Sequence, residues 1–155
     1  MILAESLNLL EDFLHAQMPL TGHMGVKVLT SSDEAGIRLL APLNPNLNHH
    51  QTAFGGSISA LAILAGWALM FTRLQSSSFQ GQIIIQRNNI QYLKPITDNF
   101  EAHCLPPDDS VWIKFMDMLT RKAKARIELR VEVLQAGVLA GVLTGVYAAI
   151  KATGM

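Results

Sequence analysis

The chain has 155 residues, half of them hydrophobic and 15% charged, and its 12 basic and 12 acidic side chains cancel. That length and composition suffice for a real core, which excludes disorder, and zero net charge argues against a nucleic-acid partner. A single cysteine, Cys104, excludes an internal disulfide and a cysteine metal cluster.

The low charged fraction points to surface covered by self-association, so a homodimer or a tetramer of dimers is expected. The N-terminus lacks the basic-then-apolar pattern of a signal peptide, so a cytoplasmic location is expected. No repeat, low-complexity tract or linker interrupts the sequence. Residues 1–155 therefore read as a single domain.

Between Glu5 and Gln17, apolar residues at Leu7, Leu10, Phe13 and Leu14 have helical spacing, and Pro19 ends that helix. Met24–Leu29 and Ile37–Leu43 read as strands joined by a turn at Ser31–Gly36. Asn44 to Gly56 is loop, rich in asparagine and ending in glycine. From Ala60 to Phe71 no polar side chain appears, so a helix there has no face to show water. That run is too short to span a bilayer, which needs ~20 residues.

Gln75–Gln80 is a serine-rich connection, and Gln82–Leu93 a long strand stopped by Pro95. Phe100–Leu105 returns as another strand. Pro106 and Pro107 then break the pattern, and Ser110–Arg121 repeats Val111, Trp112, Phe115, Met116 and Leu119 at helical spacing. Lys124–Val133 alternates apolar and charged residues, as a sheet with one wet face does. Gln135-Ala136-Gly137 turns the chain into a last strand, Val138–Ile150. This order predicts an α+β fold: an antiparallel sheet wrapped around one central apolar helix, with an extra N-terminal helix and an inserted helix.

The loop and the helix it feeds hold the candidate chemistry. A helix start presents free N–H groups and partial positive charge. Gly55 and Gly56 lack a Cβ, so a ligand oxygen has access to their amides, or they only let the helix start against the sheet. Asn48 reads as a turn former or as a site residue. His49 and His50 read as a solvated loop pair or as a base. Ser57 and Ser59 read as helix-start residues, since no Gly-x-Ser-x-Gly elbow surrounds them. Histidines with metal-ligand spacing are absent, so neither a metal nor another cofactor is expected.

The succession resembles the hotdog fold of acyl-thioester enzymes. Asn48 precedes Phe54-Gly55-Gly56 at the distance that separates an asparagine from the His-Gly-Gly motif of many hotdog thioesterases. Ile90-Gln91-Tyr92-Leu93-Lys94-Pro95 looks like their central strand, and Ala125–Ile150 looks like their closing hairpin. More narrowly, the chain is similar to the thioesterase-like C-terminal domain of the bacterial YiiD family, which the inserted helix at Ser110–Arg121 suits.

The resemblance implies a thioesterase acting on an acyl-CoA or acyl-carrier-protein conjugate, in the chemistry of fatty acid metabolism. It implies catalytic roles for Asn48, His49, His50, Gly55 and Gly56. Phe54 and Ser57 would then line the substrate, with Asn88, Asn89 and Gln91 reaching in from a partner chain. Two departures stand out. Phe54 replaces the motif histidine, and Ser57–Ala65 offers no carboxylate where such enzymes usually place one. A general base needs a titratable group within hydrogen-bond reach. The missing carboxylate supports a non-catalytic thioester-binding or dimerisation module as the alternative. A hotdog enoyl-thioester hydratase ranks lower. Of its Asp-x-Asn-Pro-x-x-His pattern only Asn44-Pro45 is in place, with His49 too far along.

Overall fold

The computed structural model describes residues 2–153. Helix α1 (Ile2–Gln17) is followed at once by a short helix, α2 (Pro19–His23). Pro19 ends α1, as expected, and also opens α2, since a first helical position needs no N–H. The first strand therefore starts later than the sequence predicts. Met24 and Gly25 close α2, Gly25 with a left-handed φ of 73°, and β1 runs Lys27–Ser32. Strand β2 (Gly36–Ala41) ends before Pro42, which has no N–H to give a ladder.

A 3₁₀ turn at Asn44–Asn46 leads through the loop to α3 (Gly55–Gln75), and then to β3 (Gly81–Tyr92) and β4 (Phe100–Cys104). Helix α4 (Asp109–Lys122) is inserted before β5 (Lys124–Gln135) and β6 (Val138–Lys151). The six strands form one antiparallel sheet in the order β1-β2-β4-β5-β6-β3.

The sheet wraps α3, which is the arrangement expected of a hotdog fold. Ile58, Leu61, Leu64, Leu69 and Leu74 of α3 are buried against Leu39, Phe100, Val131 and Leu143 of the strands. At 21 residues α3 is longer than its purely apolar run, so length alone does not exclude a membrane span. Its enclosure by the sheet accounts for its apolar character instead. Ala60, Ile63, Trp67 and Phe71 form a half-buried stripe, partly covered where Phe13 of α1 stacks on Phe71 at 4.7 Å. The Trp67 indole donates to the Ile83 carbonyl of β3 at 3.0 Å.

Helix and sheet approach closely at Gly66. Tyr147 of β6 is fully buried, and its hydroxyl donates to the Ile63 carbonyl at 2.7 Å. Its ring lies where a Cβ on Gly66 would stand. The glycine thus costs helix propensity and admits the largest core side chain.

The two edges of the sheet differ. On β1 the outward Val28 N–H donates to Glu11 Oε1 at 2.9 Å, and the Val26 carbonyl just before it accepts from His15 Nε2 at 2.7 Å. Helix α1 thus occupies that edge. β3 forms the other edge, pairs only with β6, and is mostly exposed along its 12 residues.

The Gly66–Tyr147 contact makes a prediction with a definite sign. Alanine is favoured over glycine in a helix by ~1 kcal/mol. Overpacking a core costs ~1–3 kcal/mol or more. Gly66→Ala should therefore be net destabilising in urea unfolding; a stabilised variant would mean that Tyr147 does not pack on Gly66.

Candidate functional site

Asn46, not Asn48, is the buried asparagine of the loop. It is 2% exposed, although its sequence context reads as turn. Its Nδ2 donates to the Met24 carbonyl at 2.9 Å and to the Pro42 carbonyl at 2.7 Å, and its own carbonyl accepts the Phe54 N–H at 2.7 Å. One side chain and its backbone thus join the end of α2, the end of β2 and the start of α3. Its Oδ1 is buried without a hydrogen-bond partner.

Asn48 closes the next part of the loop. Its Oδ1 accepts the amides of His50 and Thr52 at 2.8 and 3.1 Å, and its Nδ2 donates to Thr52 Oγ1 at 2.9 Å. The backbone adds a bond from the Asn48 N–H to the Thr52 carbonyl at 2.8 Å. An amide nitrogen has two hydrogens, so one N–H of Asn48 is left for another partner. Thr52 is the other half of this clasp, and spacing alone does not single it out. His49 and His50 lie on the exposed outside of the turn with their rings 3.8 Å apart.

The loop delivers the chain to α3 without a cap. Phe54 is the N-cap residue, in extended conformation, and its side chain has nothing to bond to the helix. Ile58 is the first residue whose N–H reaches back, to the Phe54 carbonyl at 3.1 Å. The amides of Gly55, Gly56 and Ser57 precede that bond, so they are free to donate outward.

Each glycine faces an aromatic ring. A Cβ on Gly55 would lie 3.5 Å from the ring of Tyr92, whose hydroxyl donates to the Gly55 carbonyl at 3.1 Å. The ring of Phe54 lies over Gly56 and fills the space a Cβ would take. Phe54 and Tyr92 remain more than half exposed, at 56% and 52%. A cavity of about 370 Å³ opens here, lined by Thr52, Gly55, Ile58, Tyr92, Leu93 and Ile96.

Strand β3 divides the other candidates between its faces. Asn88 lies opposite Gly145, in step with Ile83, Ile85, Ile90 and Tyr92 on the face towards α3. Asn89 and Gln91 alternate with it and lie on the opposite face. All three are exposed. Cys104 contributes no nucleophile. It is fully buried, and burial pushes its thiol up to about 12, only partly offset by Arg73. Among the described residues, no three His, Cys, Asp or Glu side chains are grouped to hold a metal ion.

Comparison with known proteins places this geometry in a family. A family model described as "Putative thioesterase (yiiD_Cterm)" matches residues 7–151. A crystal structure described as the "putative thioesterase from Shewanella oneidensis" is 31% identical, with a TM-score of 0.83 over 95% of this chain and 99% of that one. A Chlorobaculum tepidum protein of unknown function is 28% identical, with a TM-score of 0.87 over 97% of both chains. The Escherichia coli PaaI protein from the phenylacetic acid degradation operon, 14% identical with a TM-score of 0.65, covers 97% of this chain and 98% of its own. That last likeness is one of fold alone.

The Asn46 clasp yields a test. In Asn46→Asp the two carbonyls would face a buried carboxylate instead of an amide. The substitution should cost ~3 kcal/mol or more at pH 7. Those neighbours raise the carboxyl's folded pKa above its unfolded value near ~3.9, so the cost should shrink as pH falls towards 4. Urea unfolding at both pH values measures this; a small, pH-independent cost would put Asn46 in solvent.

Proposed function

The chain belongs to the family of YiiD C-terminal thioesterase domains, and on that premise we propose that it hydrolyses an acyl thioester carried by coenzyme A or by an acyl carrier protein. The observation that carries the reading is the uncapped start of α3. The free amide of Gly55 or Gly56 would donate to the thioester carbonyl oxygen as negative charge develops there, aided by the helix dipole. The remaining N–H of Asn48 would orient the attacking water, and His49 or His50 would take its proton. The carbon–sulfur bond then breaks, and the leaving thiolate recovers that proton. Phe54 and Ser57 would line the acyl group at the mouth of the cavity.

The site would be completed by a second copy. Because β3 is the unoccupied edge, we place pairing there, with Asn88, Asn89 or Gln91 of the partner chain near this chain's helix start. The half-buried stripe at Ala60, Ile63 and Trp67 supplies apolar surface beside that edge. Pairs of chains then form the dimer, or the tetramer of dimers, and a cytoplasmic setting completes the proposal.

A non-catalytic thioester-binding module is the second reading. One observation favours it: Ser57 to Ala65 carries no titratable side chain, and His49 and His50 lie exposed with their rings 3.8 Å apart.

Hydrolysis of a panel of acyl-CoA and acyl-carrier-protein thioesters separates the two. With steady turnover, Asn48→Ala should lower the rate by ~10²-fold, as removal of one transition-state hydrogen bond does. It should also cost about 1–2 kcal/mol of stability, because it opens the clasp to Thr52. Of His49→Ala and His50→Ala, only one should lower the rate. Full activity in all three variants would move the chemistry to the partner strand, and no turnover on any thioester would leave the binding module.

The assembly is tested separately by light scattering. The mass should be a multiple of the 17.0 kDa chain, twice for a dimer or eight times for a tetramer of dimers. A monomer at micromolar concentration would remove the shared site.

A further inference from the structure

We propose that the groove between α4 and β5 docks an acidic amphipathic helix of the protein that delivers the acyl group. This rests on the thioester reading and adds the carrier to it. The groove has a volume of about 720 Å³. Along α4 it presents Val111, Lys114, Met118 and Lys122, one helical stripe that alternates apolar and cationic side chains. Val111 and Met118 are 41% and 40% exposed. The opposite wall adds Lys124 and Arg126 above Ala125 and Ile127. Ala123, left-handed at φ 59°, turns the chain directly from α4 into β5, so Lys122 and Lys124 flank one end of the groove.

The charge is one-sided. Four of the chain's 12 cations line the groove, against the single carboxylate of Glu128. Among the described residues none of these four makes an ion pair, whereas Arg38, Arg73, Arg121 and Arg130 elsewhere do. A chain with no net charge has thus gathered unneutralised positive charge over exposed apolar side chains. Apolar floor and alternating cations match a helix that alternates apolar and acidic residues.

A compact phosphate group fits less well. Lys114 and Lys122 are separated by ~12 Å along the axis. The positive track continues outward, since Arg126 also borders a hollow with Ile84 and Arg87 of β3. β3 is the strand whose far end holds Tyr92 at the candidate site.

The test uses the full chain and a purified acyl carrier protein, labelled for fluorescence anisotropy. The unmodified chain should bind the unacylated carrier, more weakly at about 0.5 M than at about 0.05 M salt. The triple variant K114E/K122E/K124E should bind about tenfold or more weakly, and K114Q/K122Q/K124Q less severely so. In turnover, the triple variant should lose the same factor on an acyl-carrier thioester through KM, and keep its rate on an acyl-pantetheine. Circular dichroism melting should show both variants folded; if the reversed one is not, the glutamine set decides. No binding by the unmodified chain, or unchanged binding in both variants, overturns the proposal. An equal loss on acyl-CoA overturns it too, since the groove would then be reading phosphate. If no thioester is hydrolysed, the catalytic reading fails, and anisotropy alone still decides the docking.

Discussion

Everything in this fold follows from the need to keep water away from a helix that has no polar side. An ordinary surface helix hides one stripe; α3 has to be hidden nearly all round. A single flat sheet cannot do that, but a strongly curled one can, and Phe13 of α1 covers part of what the sheet leaves. The same demand explains why Gly66 gives way to the ring of Tyr147 and why the inner face of β5 is apolar without exception. It also decides where chemistry can sit. The backbone of a buried helix is satisfied within itself except at its ends; the last carbonyls of α3 are taken up by Ser76, Ser77 and Phe79, whereas its first turn meets solvent with its amides unpaired.

That exposed turn is held by backbone bonding more than by side-chain packing. Asn46 and Asn48 do different work two residues apart. Asn46 is sunk among carbonyls and anchors the loop to the ends of α2 and β2. Asn48 ties the tip of the loop to itself through Thr52. Each such bond contributes ~1 kcal/mol net, but an abandoned buried carbonyl costs more than the bond was worth. The position of the Gly55-Gly56 pair therefore depends on bonds made several residues earlier, and the rings of Tyr92 and Phe54 close over it from two sides.

Much of this was legible in the sequence, where one physical signal dominated. The alternation of Ile127, Leu129, Val131 and Val133 marks β5, and the unbroken apolar run marks α3. The helical spacing of Trp112, Phe115 and Leu119 marks α4. Other features depend on contacts between segments distant in sequence. Pro19 reads as a stop, but that it also starts α2 depends on α1 folding back over β1. The lateral place of β3 beside β6 cannot be read from periodicity, which says which residues share a face and nothing about neighbours. β3 is polar on both faces over Gln86–Asn89, so Asn88 is separated from Asn89 only once the register is known. In the candidate site, the run Asn44–Gly56 declares a loop and a helix start. It does not declare that Asn46 is buried, because turn propensity and burial make opposite demands on asparagine.

The unequal sheet edges have a consequence for growth. Fibrils and runaway β-aggregates need strands that can accept a neighbour on each side, a valence of two. Here Glu11 and His15 consume outward backbone groups at Val26 and Val28, so α1 closes the start of β1 to an added strand. The long open edge is the one at β3. A strand that joins through β3 uses up that long edge, and a further addition would have to start on a shorter strand whose beginning α1 already holds.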